Sequence, residues 1–209
     1  MKPLIVANWK MNPQTLKEAK SLYGWVKKSG VVICPPFVYL SSLRANGAQD
    51  VFWQDKGAFT GEISPLMLKN LGVKYVIVGH SERRKHCQET NEMIEKKLKA
   101  AWQHNLKPIL CIDKLSQVPK SIKRNLIIAY EPLFAIGTGK ACSPQKAKKT
   151  RLAIEKVVGS RVPILYGGSV NPQNAKDYIK EAGFHGLLIG GASLNSKEFV
   201  DIVKKVCYT

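Results

Sequence analysis

Glu131 is the residue of this chain best placed to act as a base. It closes an apolar run, Leu126 to Tyr130, that reads as a strand, and Pro132 stops the strand directly behind it. The stretch Ala129 to Lys140, AYEPLFAIGTGK, is small, almost uncharged and glycine-rich. Gly137 and Gly139 would let its backbone swing and approach a ligand closely, so the layout is that of a base with a lid. An ordinary strand-to-helix loop with a solvated Glu shares the same letters. A second polar cluster begins where the apolar run Val73 to Val78 stops, with Gly79, His80, Ser81, Glu82, Arg83 and Arg84. A histidine there lies within reach of backbone donors and a helix N-terminus, which set its protonation state. A third junction, Val6-Ala7-Asn8-Trp9-Lys10, adds an amide and a cation after the first apolar run.

Two further strand ends carry glycine pairs and no charge: Ile164 to Val170 (ILYGGSV) and Leu187 to Ser193 (LLIGGAS). Paired glycines expose peptide N–H groups, which suits a phosphate, although either pair alone marks no more than a tight turn.

These junctions need elements to hold them. Short apolar runs occur at Leu4 to Ala7, Val31 to Cys34, Val51 to Trp53, Tyr75 to Val78, Pro108 to Ile112, Leu126 to Tyr130, Val162 to Tyr166 and Leu187 to Ile189, eight in all. Helical patterns lie between most of them. Leu16, Ala19, Leu22 and Val26 share one face, as do Met93, Ile94, Leu98 and Ala101, and then Phe199, Val203 and Val206. Asn12-Pro13, Ser64-Pro65, Ser143-Pro144 and Asn171-Pro172 read as cap residues before a first-turn proline, and Thr15 with Glu18 as a capping box. Gly30, Gly72 and Gly183 fall where helices should stop.

Strands alternating with helices imply a parallel sheet, and eight units close most simply as an α/β (β/α)8 barrel in a single domain, residues 1–209. An open doubly wound sheet is the alternative, but its GxGxxG fingerprint is absent after strand one. In the barrel, the loops after strands seven and eight form the usual phosphate site, where the glycine pairs fall. At 209 residues some elements must be short. Pro119 interrupts the only room for a helix after strand 5, so that helix is truncated or missing, and Phe37 to Asn46 allows only a short helix after strand 2.

The motifs ANWKMN (Ala7 to Asn12), KGAFTGE (Lys56 to Glu62), VGHSERR (Val78 to Arg84), AYEPLFAIGTGK, YGGSV (Tyr166 to Val170) and IGGASL (Ile189 to Leu194) occur in the order of one family. The chain resembles the triosephosphate isomerases over essentially its whole length. That resemblance implies interconversion of D-glyceraldehyde 3-phosphate and dihydroxyacetone phosphate through an enediolate, without a cofactor. It implies Glu131 as base, His80 as neutral electrophile, Lys10 as a fixed charge and Asn8 as its positioner, with Glu82 supporting Lys10. Backbone N–H groups of Gly137, Ser169, Gly190 and Gly191 would hold the phosphate. Ala135, Ile136, Gly137 and Thr138 would form the lid tip. Phe59, Thr60 and Gly61 would belong to a loop that enters a second subunit, so a homodimer is implied. A barrel that has lost catalysis and serves as a phosphosugar-binding or structural protein is the competing reading.

Departures from the family pattern cluster after strand five. The family's usual CIGE becomes Cys111-Ile112-Asp113-Lys114, and much of the following helical segment is missing, which predicts less cover over strands five and six. Leu133-Phe134 replaces the family's common Val-Trp at the first lid hinge.

With 33 Lys plus Arg against 15 Asp plus Glu, the net charge is +18, which draws in anionic substrates and attracts polyanions nonspecifically. The lysines are scattered over helices (Lys17, Lys20, Lys27, Lys96, Lys99, Lys148, Lys149, Lys204), and no nucleic-acid motif accompanies them. Five cysteines without a CxxC pair read as reduced thiols in a cytoplasmic protein. His86, His104 and His185 lack ligand spacing, so no metal is expected, and no apolar run approaches a membrane span.

Overall fold

Eight strands pair side by side in parallel in the order β2-β1-β8-β7-β6-β5-β4-β3. They are β1 (Leu4–Asn8), β2 (Val32–Cys34), β3 (Gly47–Ala48), β4 (Tyr75–Val78), β5 (Lys107–Ile112), β6 (Ile127–Tyr130), β7 (Ile164–Tyr166) and β8 (Gly186–Ile189). The structure is a computed structural model and describes residues 2–120, 125–135 and 141–207. Around the strands run α1 (Leu16–Val26), α2 (Phe37–Leu43), α3 (Pro65–Asn70), α4 (Ser81–His86), α5 (Asn91–Gln103), α6 (Pro144–Val158), α7 (Ala175–Lys180) and α8 (Ser196–Cys207). The strand-and-helix alternation thus gives the expected barrel.

Alternate strand residues face opposite sides. Val6, Val32, Ile77, Ile109, Cys111, Ala129, Leu165 and Leu188 fill the barrel interior, while Ile5, Ile33, Leu110, Ile128 and Leu187 pack outward with the helices. The outer layer takes the helix faces read from periodicity, including Ala19, Val26, Ile94, Leu98, Phe199 and Val203.

No backbone ladder joins β2 to β3, so the ring is closed differently at that point. Asn46 Oδ1 accepts from the Ile33 N–H (3.0 Å), and its Nδ2 donates to the Val31 carbonyl (3.2 Å). Gln49 Nε2 donates to the carbonyls of Cys34 (2.9 Å) and Lys10 (2.8 Å). Two side-chain amides therefore do for β2 what a neighbouring strand's peptide groups do elsewhere.

The third strand corrects the sequence reading. It is Gly47–Ala48, and the apolar run Val51 to Trp53 lies beyond it, with Val51 and Phe52 buried in the following loop. A side chain at Gly47 would meet Cys34 Sγ at 2.5 Å and Val32 Cγ1 at 2.7 Å. Close approach to β2 thus excludes the bulky residues by which a strand is recognised. Asn12-Pro13 does not start a helix either. α1 begins after Thr15, whose hydroxyl accepts from the Glu18 N–H while Glu18 accepts from the Thr15 N–H. Ser64 and Ser143 cap α3 and α6 ahead of their prolines as expected.

Between β5 and β6 the described residues contain one 3-10 turn, Leu115–Gln117; residues 121–124 of the connection lie outside the described residues. The expected loss of cover is not seen. Leu110, Ile112, Ile128 and Tyr130 on the outer face of these strands are all buried. Val118 and Trp102 pack against that core, and Trp102 Nε1 donates to the Asn125 carbonyl (2.8 Å). The α2 helix spans 7 residues, the short element that the sequence allowed.

Candidate active site

The polar residues that end β1, β4 and β6 meet the glycine pairs that end β7 and β8 at one rim of the barrel. Asn8, Lys10, His80, Glu131, Ser169, Gly190 and Gly191 line a single cavity of about 290 Å³. Convergence at the C-terminal ends of the strands is a direct consequence of parallel register. Of the residues singled out in the sequence, Ile136, Gly137, Thr138 and Gly139 lie outside the described residues. Phe59, Thr60 and Gly61 are exposed on the loop between β3 and α3, where the Phe59 ring rests 4.8 Å from that of Phe52.

Glu131 follows β6 directly, and its N–H continues the β5 ladder by donating to the Ile112 carbonyl (2.8 Å). It is 2 % exposed. Its Oε1 lies 3.1 Å from His80 Nε2, and its Oε2 accepts from the Ser81 N–H (3.2 Å). Space for the carboxylate is made by Gly167, where a Cβ would stand 3.0 Å from Glu131 Cγ. Burial works against the charged form of Glu131, but His80, the Ser81 N–H and the Cys111 thiol outweigh it and hold the acid below its ordinary range.

His80 caps α4. Its Nδ1 accepts from the Glu82 N–H (3.2 Å), which requires that nitrogen to be unprotonated, so the ring proton sits on Nε2 and points to Glu131. Burial disfavours the imidazolium, while the facing Glu131 carboxylate favours it, and the balance moves His80 upward. The backbone bond to Nδ1 is the firmer guide to the tautomer, because protonation there would break it. Gly79, at φ 68°, makes the turn that turns the chain from β4 into this cap.

Lys10 stands opposite. Its backbone is left-handed (φ 53°), held by Asn8 Oδ1 accepting from its N–H (3.1 Å) and Gln49 donating to its carbonyl. Its Nζ pairs with Glu82 Oε1 at 2.5 Å. Glu82 thus touches both Lys10 and, through its backbone, His80.

The glycine-rich segment after Glu131 is anchored at both described ends by the β7 side of the rim. Ser169 Oγ donates to the Ala135 carbonyl (2.5 Å), and the Cys142 N–H donates to the Tyr166 hydroxyl (3.3 Å). Tyr178, stacked on Tyr166 with ring centroids 3.7 Å apart, donates to the Cys142 carbonyl (2.6 Å).

The sequence profile of the triosephosphate isomerase family matches residues 3–206. Curated relatives named triosephosphate isomerase include that of Thermoanaerobacter sp. (strain X514), 41% identical over 97% of this chain and 98% of its own length. The protein from Trichodesmium erythraeum is 42% identical over 97% of this chain and 98% of its own length. That from Dictyoglomus turgidum is 39% identical over 96% and 98%. The chain belongs to the triosephosphate isomerase family.

As a family member it is short. Its alignment with the Thermoanaerobacter isomerase runs over 244 positions, more than its own 209 residues, so that relative carries segments this chain lacks. Several residues that shape this isomerase-family site were missed in the sequence: Gly167 as the space for Glu131, Gln49 as the clamp on Lys10, and the Ser81 N–H. Only Ser81 had a legible signal, as the first residue of a helix behind a histidine cap. Glu198 of α8 also lines the cavity, and no motif pointed to it.

Proposed function

We propose that this chain interconverts dihydroxyacetone phosphate and D-glyceraldehyde 3-phosphate, with Glu131 as the base, His80 as the electrophile and Lys10 as the fixed charge. The observation that carries this reading is the shared cavity. A buried carboxylate, an imidazole whose tautomer is fixed and an ammonium all border a space that ends in the uncharged glycine loops after β7 and β8.

Glu131 removes a proton from the carbon beside the carbonyl, and the electrons move onto the carbonyl oxygen. The His80 Nε2–H donates to that oxygen and Lys10 stabilises the charge that develops there, while Asn8 orders the turn that presents Lys10. The hydroxyl proton on the adjoining oxygen passes to the former carbonyl oxygen, and return of the carbon proton from Glu131 to the neighbouring carbon completes the isomerisation, so no net proton or electron is exchanged with another molecule and no cofactor takes part. While His80 and the Ser81 N–H bond to it, Glu131 is a poor base, because both stabilise its charge. A substrate that takes over the His80 hydrogen bond removes that hold, and burial then raises the basicity of the carboxylate.

The phosphate is assigned to the backbone N–H groups of Ser169, Gly190 and Gly191 with Gly137 of the lid, since peptide donors neutralise an anion without supplying an acid. Ala135, Ile136, Gly137 and Thr138 close over it and exclude water from the enediolate, which would otherwise expel its phosphate. Glu82 acts in support, holding Lys10 in place.

A homodimer in which Phe59, Thr60 and Gly61 enter the partner subunit near its Lys10 completes this reading. It is supported by the exposed loop and by Met11, 85% exposed beside Lys10 in sequence. The cysteines among the described residues are free thiols, which suits the cytoplasm, and no described helix is long and apolar enough to cross a membrane.

A coupled assay on glyceraldehyde 3-phosphate, with light scattering on the same sample, tests activity and assembly together. Wild type turns over, and Glu131→Gln loses about 10³-fold in kcat while its circular dichroism is unchanged. A folded wild-type chain without turnover would leave the non-catalytic phosphosugar-binding barrel as the answer.

A further inference from the structure

A second cavity, of about 640 Å³, is more than twice the size of the catalytic one and lies between α4, the 3-10 turn after β5 and Leu133 behind β6. Its wall is cationic. Arg84, Lys85 and Lys114 border it together with His86. The Arg84 guanidinium is fixed in place by neutral acceptors: the Gly79 carbonyl (2.8 Å), Asn91 Oδ1 (2.8 Å) and the Cys111 carbonyl (3.4 Å). Its charge is therefore oriented without being cancelled by a contacting carboxylate. Lys85 and Lys114 make no ion pair among the described residues.

Two acids share the wall, but Glu82 is already matched by Lys10. Asp113 alone remains against three full cations and a histidine. An excess of about two positive charges calls for a ligand of similar negative charge, and a phosphate group supplies about −1.5 to −2. One phosphate already offsets that excess, and the size of the space with three separate cationic donors, Arg84, Lys85 and Lys114, leaves room and partners for a second. A fixed planar guanidinium beside two ammonium groups is also the donor set that suits several phosphate oxygens at once.

We propose that this cavity binds a small polyanion carrying two or more phosphate groups. The site exists because the β5–β6 connection runs past α4 as a tight turn, with Asp113 N–H held by Gln117 Oε1 (2.8 Å) and Lys114 left on the rim. Ser81 and Glu82 contribute to its wall as well as to the bonding of Glu131 and His80, and Leu133 stands at the root of the lid segment. Occupancy therefore reaches the catalytic pair, a consequence that rests on the isomerase reading, so binding is to be measured directly and not through turnover.

The test is calorimetric titration of the full chain with inorganic tripolyphosphate at physiological ionic strength, with glycerol 3-phosphate at saturation to fill the catalytic cavity. One saturable site per chain is expected. Lys85→Glu with Lys114→Glu weakens it by at least about tenfold, and so does the milder Lys85→Gln with Lys114→Gln, which guards against a folding defect. The same charge reversal on α6, Lys148→Glu with Lys149→Glu, leaves it unchanged. Equal weakening by the α6 variant would reduce the effect to the net charge of +18 and overturn the proposal. Displacement by glycerol 3-phosphate, or the absence of saturable heat, would overturn it too. A failed isomerase assay would leave this binding result untouched.

Discussion

Gly167 decides where the Glu131 carboxylate can stand. Glu131, the proposed base, rests within 3.1 Å of His80, and the next strand's first loop residue would fill that space if it had a side chain. A Cβ at Gly167 would sit 3.0 Å from Glu131 Cγ and 3.4 Å from the Tyr130 carbonyl, so the carboxylate has to move by a few tenths of an ångström. Gly167→Ala is accordingly expected to lower kcat by about 10- to 100-fold, since small displacements of a reacting group cost that much. The unfolding midpoint should shift little, and a variant with unchanged kcat would show that the base adapts. At this scale the sequence was generous with Asn8, Lys10, His80 and Glu131, because polar side chains directly after apolar runs stand out. It could not reveal what Gly167 makes room for. That depends on the register pairing Tyr130 with Tyr166, which no local pattern encodes.

At the scale of elements, the barrel is held shut between β2 and β3 by side chains. Asn46 supplies one acceptor and one donor to the β2 backbone, and Gln49 supplies donors to Cys34 and Lys10. Asn46→Ala would strand the Ile33 N–H and the Val31 carbonyl, at a cost of about 1–3 kcal/mol in urea unfolding. Asn46→Asp keeps an acceptor for Ile33 but sets oxygen against oxygen at Val31, so it should recover only part of that loss. Full stability in either variant would show that the closure does not depend on this amide. Seven of the eight strands were legible as apolar runs within a few residues. β3 was not, because Gly47 lies too close to β2 for a side chain, and its neighbours Asn46 and Gln49 look like loop residues in the sequence. A short connection after β5 was expected from missing length and Pro119, whereas the bond from Trp102 at the end of α5 to the Asn125 carbonyl was not, since no local pattern pairs those two segments.

The whole molecule has a positive surface and a buried ionic cluster beneath it. Lys97 of α5, 2 % exposed, bonds to Asp50 Oδ1 (2.7 Å) and Oδ2 (2.8 Å) and to Glu89 Oε1 (2.5 Å). Arg83 of α4 binds the same two acids, reaching Asp50 at 2.8 Å and Glu89 at 2.5 Å. The cluster ties the loop after β3 to α4 and α5, the helix that begins at the His80 cap and the helix behind it. Lys97→Met removes one of two cations facing two buried carboxylates and is expected to cost about 3–5 kcal/mol in urea unfolding, with partial recovery when Asp50→Asn is added. The two acids titrate as a pair. Burial, reinforced by Glu89, outweighs Lys97 and Arg83 and pushes Asp50 up to about 6, while those cations keep Glu89 below its ordinary value. An unfolded Asp titrates near ~3.9, so between about pH 4 and about pH 6 the folded chain holds the extra proton. Asp50 therefore contributes most to stability at the acid end of that window, and its contribution falls as pH rises through about 6. Asp50→Asn cannot titrate. The stability of wild type relative to this variant, compared at about pH 4 and about pH 7, should drop by up to about 3 kcal/mol across the interval. A relative stability that rises instead would mean that Lys97 and Arg83 dominate at Asp50, making the cluster a net stabiliser of its charge.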